Sequence, residues 1–312
     1  MSEQITNHIM MIKPVAFHMN EQTAINNFYQ KGWDGGTKET IQKRALKEFD
    51  DMVALLKREG VSVTVFDDTE EPATPDSLFP NNWVSFHEDG IVRLYPMFAP
   101  NRREERRDDI IAGIKKKFKV KKVKSFTDWE NKRKYLEGTG SLLLDRENNI
   151  AYAALSDRTM LAPLEDFCDN IGYDAVTFSA NQTVSEARLP IYHTNVMMSL
   201  GEKFAVVCMD SIDNEEEKEE LEDALVDSGK EIIEITEEQV AQFAGNMIQV
   251  IGRNDRRLIV MSNAAYFSLD RVQLGALEKH GTLIHSDIQV IEMLGGGSAR
   301  CMMAEVFLPS KK

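Results

Sequence analysis

The feature that most constrains this chain is a recurrence. A β-hairpin signal, a helix signal and a further strand signal appear in that order at residues 83–126, again at 141–178, at 196–235 and at 247–285. Such a unit cannot bury its faces alone, so the copies must pack against one another. Asn82, Gly140, Asn195 and Asn246 open the four hairpins and Cys301 opens an apolar run at 301–308, with separations of 58, 55, 51 and 55 residues. The remainder of a fifth unit lies at the other end of the chain. It comprises an apolar stretch at 9–17 broken by Pro14, a helix at 37–59 and a strand at 61–66. In that helix Ile41, Ala45, Phe49, Met52, Val53, Leu55 and Leu56 recur at helical spacing, Thr37 suits the N-cap, and Gly60 ends it. A unit built from both chain ends closes a ring. The expected fold is therefore α/β, a five-bladed α/β propeller of pseudo-repeated ββαβ units, its last blade closed by both termini, in a single domain over 1–312.

If the units are related by rotation about one axis, the residues that open the hairpins converge on it. Asn82, the turn at 137–140, the segment 193–195, Asn246 and Cys301 then line one cavity, which places a cysteine, a histidine and a glutamate together. Taken singly, a cysteine opening a strand is more often core than catalyst, and a lone histidine is more often structural. Their shared position in the repeat reverses that preference. A thiolate is the nucleophilic form of cysteine and is favoured by nearby cations, for which Arg300 is adjacent in sequence. His193 is suited to relay protons, and Glu137 to accept from the N–H groups of a planar, nitrogen-rich substrate. Asn82 and Asn195 offer both a donor and an acceptor without charge. Among the arginines that follow the first two hairpins, Arg102, Arg103 and Arg158 are candidates to clamp a carboxylate.

Composition removes several classes of partner. A formal net charge of −14 argues against a nucleic-acid backbone. No window is apolar over the length of a membrane span, and residues 1–12 lack a basic segment followed by an apolar one, so a cytoplasmic location is expected. The three cysteines, Cys168, Cys208 and Cys301, are too few and too dispersed for a disulfide framework or a paired-cysteine zinc site. Cys168 and Cys208 read as small core residues.

Six ordered segments resemble the guanidino-group modifying superfamily: 79–87 (FPNNWVSFH), 95–103 (YPM…NRR), 136–142 (LEGTGSL), 192–197 (YHTNVM), 243–247 (FAGNM) and 295–305 (GGGSARCMMAE). That superfamily includes arginine deiminases, dimethylarginine dimethylaminohydrolases and amidinotransferases. The likeness spans nearly the whole chain and is strongest to the citrulline utilization hydrolase, or citrulline ureidase, branch. It implies the pentein fold, a five-bladed α/β propeller. It also implies Cys301 as covalent nucleophile, His193 as general acid and base, and Glu137 as acceptor for substrate nitrogens. Arg158, Arg300 and Arg102 or Arg103 match arginines near the substrate carboxylate or the active site, and Asn246 joins Asn82 and Asn195 among the substrate-binding residues. No metal and no organic cofactor is implied.

Where arginine deiminases carry two aspartates, this sequence has Asn82 and Asn195. Losing two negative charges suits a neutral ureido group better than a guanidinium. The expected activity is a cysteine-dependent hydrolase of non-peptide C–N bonds that converts citrulline to ornithine, carbon dioxide and ammonia. The alternatives are hydrolysis of arginine or dimethylarginine to citrulline, amidino transfer, and, in another class, a ligand-binding propeller without turnover. The expected partner is a small amino acid, with no nucleic acid and no membrane. The oligomeric state is open, a homo-oligomer included.

Overall fold

The computed structural model describes residues 3–33 and 36–311; residues 34 and 35 of the loop at 20–36 lie outside that range, as do 1, 2 and 312 of the expected 1–312 domain. Seventeen strands are found among the described residues, fifteen of them in five three-stranded sheets of one pattern. In each sheet the middle strand pairs antiparallel on one side and parallel on the other. The second sheet joins Val84–Phe86, Ile91–Leu94 and Lys122–Ser125. The third joins Leu143–Asp145, Ile150–Leu155 and Asp174–Ser179. The fourth joins Met198–Leu200, Phe204–Val207 and Glu231–Glu234. The fifth joins Ile248–Ile251, Arg257–Ser262 and Thr282–Ser286.

The first sheet uses both ends of the chain. His8–Lys13 pairs parallel with Ser62–Asp67 and antiparallel with Ala304–Glu305, with Ile9 opposite Glu305 and Met10 opposite Ala304. Between its parallel strands runs the helix Lys38–Arg58, capped by the Thr37 hydroxyl. That helix buries Ala45, Phe49, Met52, Val53 and Leu56. These side chains share one apolar cluster with Ile9 and Met11 of the first sheet and Val250, Leu258 and Val260 of the fifth. The sequence-chosen stripe therefore cements the first sheet to the last. About 0.8 kcal/mol accompanies each CH2 withdrawn from water in such a stripe.

Several expected elements differ in extent. The apolar run at 301–308 forms strand only at Ala304–Glu305, and Cys301 lies in the preceding turn. The helix expected within the unit at 83–126 is two pieces, Pro100–Arg103 and Asp108–Lys117. Short helical turns, Pro80–Asn82, Gly138–Ser141 and Thr194–Met197, stand immediately before three of the hairpins, and the last two take in residues 141 and 196–197, where strand was expected to begin. These turns pack on one another and carry the residues that open the hairpins.

Neighbouring units are also locked by charge. Asp145, ending the first strand of the third sheet, accepts from Lys230 of the fourth at 2.9 Å, and both side chains are fully buried. Lys230 also donates to the carbonyl of Glu202 at 3.0 Å. Asp145→Ala leaves a buried ammonium unpaired and is expected to lower unfolding free energy by about 3–5 kcal/mol. The double change Asp145→Leu with Lys230→Met should recover most of that loss, as read by urea titration.

Candidate active site

Glu137 stands just before the helical turn Gly138–Ser141 and is wholly buried. Two glycines let it come close to its neighbours. Gly138 has φ 48°, and a Cβ there would stand 2.3 Å from the Asn81 carbonyl oxygen; one on Gly140 would stand 2.4 Å from Asn82 Nδ2 and 2.8 Å from His193 Nδ1. Glu137 Oε1 accepts from the Phe98 N–H at 2.9 Å and Oε2 from His193 Nε2 at 2.8 Å. The guanidinium groups of Arg102 and Arg158 lie 3.8 and 3.9 Å from the same oxygen. Burial alone would raise the Glu137 pKa, but the His193 hydrogen bond and the Arg158 charge pull it down to about 2. Burial also lowers His193, to about 4, against the opposing pull of Glu137. At neutral pH the pair is therefore carboxylate and neutral imidazole. Its Nε2–H donates to Glu137, and Nδ1 keeps the lone pair.

Cys301 is held in a turn closed by its own N–H on the Ser298 carbonyl at 3.0 Å. Asn246 brackets that turn. Its Oδ1 accepts from the N–H groups of Arg300 at 3.0 Å and Cys301 at 3.4 Å, while Nδ2 donates to the Asn195 carbonyl at 2.7 Å and to the Cys301 sulfur at 3.2 Å. Asn195 Nδ2 approaches the same sulfur at 3.5 Å, and its Oδ1 is buried without a partner. Upstream, the helix Gln289–Gly295 is capped by the Glu48 carboxylate on the N–H groups of Val290 and Ile291, each at 3.0 Å. Glu292 accepts from the Ser298 hydroxyl at 2.5 Å, and Tyr192 Oη donates to the Gly296 carbonyl at 2.5 Å. Every side of the thiol's turn is thus tied to another part of the chain. Burial pushes the Cys168 thiol up to about 12 and also raises that of Cys208.

Cys301, His193, Asn82, Arg102 and Arg158 line one cavity. Its volume is only about 10 Å3, room for one water at most. Arg102 is saturated: Nη1 donates to Asn82 Oδ1 at 2.8 Å, and Nε and Nη2 grip Glu105 at 2.8 and 3.0 Å. Arg158 packs over the Tyr192 ring at 4.8 Å, donates to the Thr23 carbonyl at 2.8 Å and grips Asn26 Oδ1. Five expected residues are not in the cavity lining: Glu137, Asn195 and Asn246 stand behind it, on His193 and the thiol, whereas Arg300 and Arg103 turn elsewhere. Arg300 turns to Glu305 and the Met303 carbonyl, each at 2.8 Å, and Arg103 donates to the carbonyls of Met97 and Phe98.

Sequence reasoning missed Asp76, Tyr192 and Asn27, which line the cavity. Asp76 is 2% exposed; its Oδ2 accepts from Asn20 at 2.8 Å and the Thr23 hydroxyl at 3.1 Å, and its Oδ1 has no partner. Tyr192 was signalled only by its place beside His193. Asp76 had no signal beyond lying in the turn-rich loop before residue 79. Among the described residues no group of three His, Cys, Asp or Glu side chains could hold a metal ion, and no helix is long and apolar enough to cross a membrane.

The architecture is that of the guanidino-modifying, pentein superfamily. The N-terminal domain of ArgZ, an arginine dihydrolase from cyanobacteria, superposes with a TM-score of 0.73 at 19% identity, over 97% of this chain and 98% of that domain. Against full-length ArgZ the TM-score is 0.74 at 18% identity, and this chain spans 41% of it. A dimethylarginine dimethylaminohydrolase variant, as its adduct with S-methyl-L-thiocitrulline, gives 0.62 at 16% identity over 96% of this chain and 99% of that one. Identities this low speak for the fold alone. At the level of sequence, residues 13–308 match the family described as N,N dimethylarginine dimethylhydrolase, eukaryotic, and the chain belongs to that family. No protein of curated function matches it.

The buried pair contributes to the acid limb of stability. His193 titrates near 4 in the fold against an ordinary 6.5, so its contribution is complete above pH 6.5 and is lost as pH falls towards 4. Glu137, at about 2 against an ordinary 4.5, adds a loss between pH 4.5 and 2. His193→Gln should flatten the first window by about 1.4 kcal/mol per pH unit. Urea titrations at pH 7, 5.5 and 4.5 on both proteins read the difference.

Proposed function

We propose that this protein is a cysteine hydrolase of an arginine-related amino acid, with citrulline as substrate and ornithine, carbon dioxide and ammonia as products. The observation that carries the reading is the Cys301 sulfur under two amide donors, Asn246 at 3.2 Å and Asn195 at 3.5 Å, in one cavity with His193, itself paired to an ionised Glu137. Around this site we read the five like sheets as the blades of a pentein propeller.

The head of the amino acid is assigned to Arg158 and Asp76, which both contact Thr23. Arg158 takes the carboxylate, and the unpartnered Oδ1 of Asp76 takes the ammonium. At the reacting end Cys301 gives its proton to His193 Nδ1 and attacks the ureido carbon. Oxygen charge that develops there is met by an amide N–H of Asn195 or Asn82. His193, steadied by Glu137, protonates the departing δ-nitrogen as its C–N bond breaks, releasing ornithine and leaving an S-carbamoyl enzyme. Water then adds with His193 as base, the C–S bond breaks, and the carbamic acid formed decomposes to carbon dioxide and ammonia.

Neutral amides beside the thiol favour a neutral ureido group. Glu137 is already engaged by His193 and the Phe98 N–H, so a guanidinium beside the thiol would have to share that carboxylate with them. The second reading is attack on the guanidine of arginine or dimethylarginine. It is supported by the family's description and by ArgZ, an arginine dihydrolase.

Citrulline, arginine and dimethylarginine offered in parallel should yield ornithine from citrulline alone. Citrulline appearing from either guanidine would replace the first reading with the second. Cys301→Ser should abolish turnover, and undiminished activity in that variant would sink both. Asp76→Asn should raise KM about tenfold or more with a smaller effect on kcat.

A further inference from the structure

A second cavity, of about 160 Å3, opens on the second and third sheets and is lined by His87, Arg93, Arg146, Asn149 and Tyr173, with Glu88 and Asp89 also on its wall. It shares no residue with the cavity of Cys301. Two of its lining residues are nearly buried arginines, Arg93 at 2% and Arg146 at 6% exposure. They differ in how their charge is met. Arg93 is matched by Asp89, with contacts of 2.8 and 3.4 Å, although its Nε is buried without a partner.

Arg146 has no such match. Its guanidinium lies 4.0 Å over the Phe307 ring and donates one hydrogen bond, to His87 Nδ1 at 3.3 Å. Among the described residues it forms no ion pair within 4.0 Å. Glu88, the other acid of the wall, is exposed, and its Oε1 takes the backbone N–H of Glu3 at 2.7 Å. His87 supplies no charge. Because a guanidinium only donates, His87 Nδ1 carries the lone pair and Nε2–H donates to Ser85 Oγ at 2.6 Å, which in turn meets Tyr95 Oη at 2.6 Å. Burial and the two arginines hold this imidazole neutral. A buried cation whose only polar partner is neutral is costly, and the planar fork of arginine is shaped for an oxyanion.

We propose that this cavity is a binding site for a small oxyanion, a carboxylate or a phosphate, gripped by Arg146 with Arg93 beside it. The volume equals about five waters at ~30 Å3 each, which admits phosphate or a short carboxylic acid and excludes a nucleotide.

Calorimetric titration of the full chain with inorganic phosphate, and separately with acetate, tests this. Saturable binding of one anion per chain is expected in at least one arm, and the tighter arm identifies the source. Arg146→Met should weaken it about tenfold or more. Arg146→Lys keeps the charge but loses the fork, and should weaken it by less while preserving the fold. Arg158→Met, in the other cavity, should leave it unchanged. Wild-type affinity in either folded Arg146 variant, loss of binding in Arg158→Met alone, or no saturable binding of either anion would overturn the proposal.

Discussion

The carboxylate of Glu137 is the interaction on which the rest depends. A wholly buried charge is tolerated only when hydrogen bonds and opposite charges replace its water. Here they come from separate parts of the chain: His193 before the fourth sheet, the Phe98 N–H and Arg102 after the hairpin of the second, and Arg158 after the hairpin of the third. Each partner reaches Glu137 only when its own unit is docked. The same arginines extend the arrangement outward, Arg102 to Asn82 and Glu105, and Arg158 to Thr23 and Asn26. A single desolvated carboxylate thereby couples three units and the segment at 20–27.

The thiol is treated differently. No carboxylate or cation touches its sulfur among the described contacts; two neutral amides do, and one of them also holds the backbone on which the cysteine sits. Asn246 thus places the sulfur and donates to it with the two ends of one side chain. Arg300, adjacent in sequence, is neutralised by Glu305. The sulfur is thus met by neutral donors and by no permanent counter-ion, which leaves the site free to accept a neutral group.

Much of this was legible because it rests on local rules. The spacing of Ala45, Phe49, Met52 and Leu56 and the Thr37 cap define the helix Lys38–Arg58, and the hairpins follow alternation and turn chemistry. What was not legible depends on partners distant in the chain. The helix Gln289–Gly295 has no cap in its own sequence because Glu48 supplies it from 242 residues away. Cys301 reads as strand because the run after it is apolar, whereas the bracket by Asn246 makes it a turn. Arg300 reads as a pocket residue by adjacency, and only the position of Glu305 turns it aside. Asp76 carries no motif at all; its importance lies in Oδ1, which finds no partner once the chain has closed around it.

The closed cavity carries a consequence for how a substrate is received. Arg158 cannot meet a carboxylate with its full fork while Asn26 and the Thr23 carbonyl hold it, and Asn20 and Thr23 of the same short segment also engage one oxygen of Asp76. On the proposed reading, binding the head of a zwitterionic amino acid exchanges contacts with residues 20–26 for contacts with ligand, and so couples occupancy to the position of that segment. At the reacting end Asn195 Oδ1 is an unpaired acceptor beside the sulfur. On the proposed reading, head-group charge governs admission and neutral amides govern what is attacked, so the choice between a ureido and a guanidino group falls to Asn82 and Asn195, while the arginines discriminate only that the ligand is an amino acid.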